Sequence, residues 1–146
     1  MLAVVGGGIT WWINQSSSNY ASRTADIVNA TTERINKLDS ESTTDQALCA
    51  AGSIPACDRL MAMLSRAADE VAAARTDLAA LEPPSDAQSW HNDYLAFLRD
   101  GEYALRGSVA AWNSGNLRQF ENLLAEFDGL TAREDQLTTY FNSHLR

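Results

Sequence analysis

The sequence predicts an all-α, up-down-up-down four-helix bundle preceded by an N-terminal, partial transmembrane helix. Three observations lead there. Apolar residues recur at three- and four-residue intervals over four segments of similar length. The connections between the last three segments are very short, so neighbouring helices must run antiparallel. No segment alternates with the period of two that a half-buried strand needs, and 23 alanines favour helix over sheet. The chain's 146 residues suffice for one domain.

Residues 1–15 form the apolar end of the chain. The first 22 residues carry no charged side chain, Arg23 being the first. The apolar stretch Leu2, Val4, Val5, Ile9, Trp11, Trp12 and Ile13 contains Gly6-Gly7-Gly8 and is followed by a polar run, Asn14 to Asn19. Tryptophan is enriched where a membrane helix meets water. Leu2–Ile13 amounts to about 18 Å of helix, whereas a span needs roughly 20 apolar residues. The preferred expectation is the last part of a transmembrane helix that begins upstream, which makes Met1 an internal start. A short anchor in one leaflet or against a partner's membrane helices, and a hydrophobic arm buried in the bundle, are the alternatives. The near flank lacks excess positive charge, which puts residues 16–146 on the extracytoplasmic side of the cell membrane.

The first bundle helix is expected from Ser17 to Asp39, with the stripe Ala21, Thr24, Val28, Thr31, Ile35, Leu38. Ser40 to Ile54 reads as a polar, partly helical connection. Within and just beyond it stand Cys49 and Cys57, with the breakers Gly52 and Pro55 between them. On the extracytoplasmic side, two cysteines at a bend imply one disulfide. The second helix, from Pro55 to before Pro83-Pro84, has an unbroken 4-3-4-3-4-3 stripe: Leu60, Leu64, Ala67, Val71, Ala74, Leu78, Leu81. The third begins after Pro84 with Ser85 as N-cap and carries Trp90, Tyr94, Phe97, Leu98, Leu105, Val109 and Trp112. Asn113-Ser114-Gly115 stops it. The fourth runs from Asn116 to His144 with Leu117, Phe120, Leu124, Phe127, Leu130, Leu137 and Phe141.

The net charge is −8 and the pI about 4.6, which argues against nucleic acid as a partner. No nucleophile elbow, phosphate loop, dinucleotide fingerprint or HExxH occurs, so the expectation is a protein that is not an enzyme and needs no cofactor. His91 and His144 fall at the same end of the bundle about 9 Å out of register, too far apart to share a metal. The acidic pairs Asp69-Glu70, Asp100/Glu102 and Glu134-Asp135 read as solvated helix faces. Trp90, His91, Tyr94, Tyr140 and Phe141 gather at one end. They form either a packed bundle end or a face for a partner or small ligand.

Ten arginines against a single lysine, Lys37, fit GC-rich coding such as that of actinobacteria. The stretch Leu81-Glu82-Pro83-Pro84, followed by His91 and Tyr94 and preceded by Cys49 and Cys57, resembles a loose group of actinobacterial exported, membrane-anchored helical proteins with a Leu-x-Pro-Pro turn. The chain departs from that group in having no lipobox cysteine. The resemblance implies a location and no activity. The expected function is a membrane-anchored extracytoplasmic interaction module, an accessory subunit of a membrane or envelope complex. Its expected partners are membrane lipid at the N-terminus and another membrane or envelope protein. A ligand-binding or sensory bundle is the alternative.

Overall fold

The computed structural model describes residues 19–145. The stretch Leu2–Ile13, and with it the expected partial transmembrane helix, lies outside them. No helix among the described residues is long and apolar enough to cross a membrane.

Four helices follow in order: α1 (Asn19–Ala50), α2 (Ile54–Ala79), α3 (Gln88–Asn113) and α4 (Leu117–His144). There is no strand among the described residues. α1 outruns its expected end at Asp39 and absorbs most of the polar connection. The reason is local. Ser40, Ser42 and Thr43 turn their hydroxyls back onto carbonyls of the preceding turn instead of competing for the helix's own N–H groups. Gln46 donates to Asp39 Oδ1, and Arg59 of α2 grips Asp45 with a two-pronged hydrogen bond.

The turns at the far end share one geometry. Gly52 and Gly115 have φ of 94° and 71°, a region where a side chain is strained. Each closes its helix: Ser53 N–H donates to Leu48 O and Asn116 N–H to Ala111 O, both at 2.9 Å. The same Ser53 and Asn116 then stand at the N-cap positions of the next helices; Asn116 Oδ1 accepts from Gln119 N–H, whereas the Ser53 side chain makes no capping bond. At the opposite end the link is longer. Ser85 does not cap α3. It opens a turn through Ala87, whose N–H donates to Pro84 O, and the helix begins at Gln88.

α1 packs on α2, α2 on α3 and α3 on α4. The entire α2 stripe from Leu60 to Leu81 is buried, as its periodicity predicts. α3 and α4 approach closely at Gly107, where an added Cβ would lie 2.9 Å from Leu123 Cδ1. Arginines stitch the three seams: Arg34 to Glu70, Arg75 to Glu102, Arg106 to Asp69 and Arg133 to Asp100. The acidic pairs read as solvated faces therefore do more. Asp69 faces α3 while its neighbour Glu70 faces α1, and Asp100 faces α4 while Glu102 faces α2. Exposed pairs of this kind contribute only about 0–1 kcal/mol each.

The fourth side stays open. α1 and α4 make no close backbone approach. On α4 only Leu123 and Phe141 are buried, while Phe120, Leu124, Phe127, Leu130 and Leu137 are half-covered and Leu117 is exposed. The bundle is a three-seam arrangement with a groove where a fourth seam would be.

Candidate functional site: an apolar groove between the first and last helices

The groove opens midway along the bundle. α1 contributes Val28, Thr31 and Ile35 to it, and α4 contributes Phe127, Leu130 and Glu134. Val71 and Ala74 of α2 and Leu98 and Gly101 of α3 form the floor. The cleft within it has a volume of about 90 Å³. A dry cavity of about 150 Å³ admits benzene, and drug-sized ligands occupy roughly 300–1,000 Å³. The cleft therefore suits one or two inserted side chains.

Its chemistry centres on Glu134. The apolar stripe of α4 steps from Phe127 to Leu130 and on to Leu137 and Phe141, and residue 134 occupies the position between. A carboxylate sits where the helix period calls for a core residue. Burial, and then the charge of Asp135, raise its carboxyl above the ordinary value. No side chain among the described residues forms an ion pair with it, whereas Asp100 and Glu102 nearby on α3 are both paired with arginine. Tyr94, also on the groove wall, is pushed far above a normal phenol by burial and then by Glu134.

The expected aromatic face is a packed end. Trp90 stacks on Tyr94 and Phe141 tilts against Trp90, with ring centroids 4.9 and 4.7 Å apart. Trp90 Nε1–H donates to Leu137 O at 2.8 Å, tying α3 to α4. Trp90, His91, Tyr94 and Phe141 are buried, and only Tyr140, 43% exposed, reaches solvent. Trp90, His91 and Phe141 are too buried to present a surface to a partner, and Tyr94 meets the groove only at its wall. Their rings fill one another's space, and the cleft lies further along the bundle with Tyr94 alone shared.

His91 is buried. Its Nδ1 lies 2.9 Å from Tyr20 Oη. His144 stacks on Tyr140 at the outer end of α4, with ring centroids 4.3 Å apart. Among the described residues no group of three His, Cys, Asp or Glu side chains is placed to hold a metal ion. Cys49 and Cys57 close the α1–α2 turn at disulfide distance, with Cα atoms 4.7 Å apart.

Comparison with known proteins finds no matching family model, no similar curated protein and no similar solved structure.

Proposed function

We propose that this protein is a helical interaction module, held at the extracytoplasmic face of a membrane by its apolar N-terminal stretch and serving as an accessory subunit of a membrane or envelope complex. The observation that carries the interaction reading is the open side of the bundle. An apolar groove between two long helices is the shape into which a partner helix lays its apolar face. The half-covered stripe of α4 is the surface such a helix would bury.

The location rests on separate support. A twelve-residue, largely apolar stretch, Leu2–Ile13, with paired tryptophans before a polar run, fits the end of a membrane helix. A cysteine pair at disulfide distance fits an oxidising compartment. The Leu-x-Pro-Pro resemblance points the same way. The ligand-binding alternative is the weaker reading, because Trp90, Tyr94 and Phe141 are buried against one another and the cleft is small.

The test is purification of the full chain from native membranes in mild detergent, with identification of what accompanies it. The native chain and Gly101→Ala, which narrows the groove floor without a clash, are run side by side. A membrane or envelope protein that accompanies the native chain and is depleted with Gly101→Ala is the expected result. A full complement of co-purifying protein with the variant would remove the groove from the interaction.

A further inference from the structure

Resting on the interaction reading, we infer that the groove's occupant is a partner helix that presents a single basic side chain, lysine or arginine, to Glu134. The first reason is position. Glu134 interrupts the apolar stripe of α4 at a core phase, flanked by Leu130 and Leu137. An isolated carboxylate under an apolar helix is strongly unfavourable unless a cation arrives with the covering surface. The occupant that covers this groove must therefore also supply a positive charge. A lysine or arginine does both, laying its methylene stem along apolar wall while its head reaches the acid.

The second reason is that no cationic side chain among the described residues forms an ion pair with Glu134. Arg133, next to Glu134, is committed to Asp100 and the Asp93 carbonyl. The apolar N-terminal stretch holds no cationic side chain before Arg23, so folding it into the groove would bury Glu134 without a partner. A second copy brings another chain of net charge −8, which opposes self-association. The same net charge draws a basic partner by long-range attraction. Size agrees with a side chain, since the cleft is about 90 Å³.

The experiment uses the full chain in mild detergent and two fluorescently labelled synthetic helical peptides. They are identical in their leucine and alanine stripe and differ at one central stripe position, lysine in one and norleucine in the other. Anisotropy titrations at low and physiological salt are expected to show the lysine peptide binding at least tenfold tighter. Glu134→Gln should remove that advantage, weakening the lysine peptide and tightening the norleucine peptide, which then no longer covers an unpaired carboxylate. Equal affinity of the two peptides for the native chain overturns the role of Glu134. If both are then weakened by Gly101→Ala, the groove itself survives as a docking site. Binding of neither peptide overturns both readings. n-Hexylamine is titrated as a competitor, and displacement of the lysine peptide at comparable concentration would make the site a free-amine pocket and overturn the helical occupant.

Discussion

Tyr20 in the first turn of α1 and His91 in the first turn of α3 are hydrogen-bonded across the bundle's diagonal, Oη to Nδ1 at 2.9 Å. α1 and α3 are not packing neighbours. This buried bond therefore ties together two helices that no seam joins, at the end from which the apolar N-terminal stretch departs. With the imidazole neutral and its proton on Nε2, the phenol donates. Tyr20→Phe keeps the ring and leaves Nδ1 buried without a donor. The expected loss is about 1–3 kcal/mol of unfolding free energy. A double-mutant cycle with His91→Leu should recover most of it, and additive losses would show that the two groups do not interact.

The same histidine sets an acid-side slope. Burial holds His91 below its ordinary value of 6.5. Beneath pH 6.5 the unfolded chain binds a proton that the native chain resists, so stability falls as pH is lowered through 6.5 toward the folded value and is complete above it. Glu134 acts with the opposite sign. Its carboxyl is raised from 4.5, so its contribution is complete below pH 4.5 and is lost as pH rises through the folded value. Denaturation midpoints from about pH 4 to about pH 8, a range that brackets the unperturbed carboxyl and imidazole values, should separate the two. His91→Gln should flatten the decline below neutrality, and Glu134→Gln should make the native chain's decline steeper at the acid end. No change in either slope would place both groups in water.

Cys49 and Cys57 should be joined in the mature protein. Unreduced protein should be lighter than reduced protein by two hydrogens and resist alkylation. Cys57→Ser should cost about 2–3 kcal/mol by the entropy of closing so short a loop. Two freely alkylated thiols in protein isolated without reductant would contradict the pairing and remove one support for export.

Two glycines of α3 test the seams against the groove. Gly101 has room for a methyl group, with the nearest side-chain atom, Leu130 Cδ1, 3.8 Å from an added Cβ. Gly101→Ala should raise stability by about 1 kcal/mol through helix propensity. At Gly107 the added Cβ would stand 2.9 Å from Leu123 Cδ1, so the same substitution must displace a buried leucine. Gly107→Ala should melt below Gly101→Ala. The reverse order would mean that α4 does not close on α3 at this level.

Phe141 and Tyr140 are adjacent, yet the structure separates their roles. Phe141 is 1% exposed against Trp90, so Phe141→Ala should cost about 3–5 kcal/mol. Tyr140→Ala, at the surface, should stay within about 0.5 kcal/mol of the native chain. Comparable losses from both, measured by urea denaturation, would put the aromatic end in a different packing.

Periodicity and punctuation carry most of the fold. The α2 stripe, the stop at Gly115 and the antiparallel order follow from helix geometry and from where glycine and proline stand, because these are local constraints. The register was also within reach. Short turns fix which levels of α3 and α4 face each other, and Trp90 does meet Leu137. What local reasoning missed was competition. The segment from Ser40 reads as a polar, partly helical connection, and the bonds of the Ser40, Ser42 and Thr43 hydroxyls to preceding carbonyls, with the grip of Arg59 on Asp45, accompany a helix that continues to Ala50.

The sequence by itself determined four amphipathic helices, their order and the cysteine bend, since each depends on neighbours within a few residues along the chain. Tertiary structure alone decided that one of the four sides stays open. An apolar stripe states that a helix wants cover and not which helix supplies it, and the short links bind each helix to its successor while leaving the first and last free. Glu134 shows the boundary between the two. Its place in the stripe of α4 can be counted from Phe127 to Phe141, but a charge at a core phase acquires meaning only once the space beside it is seen to be a groove lacking a cation.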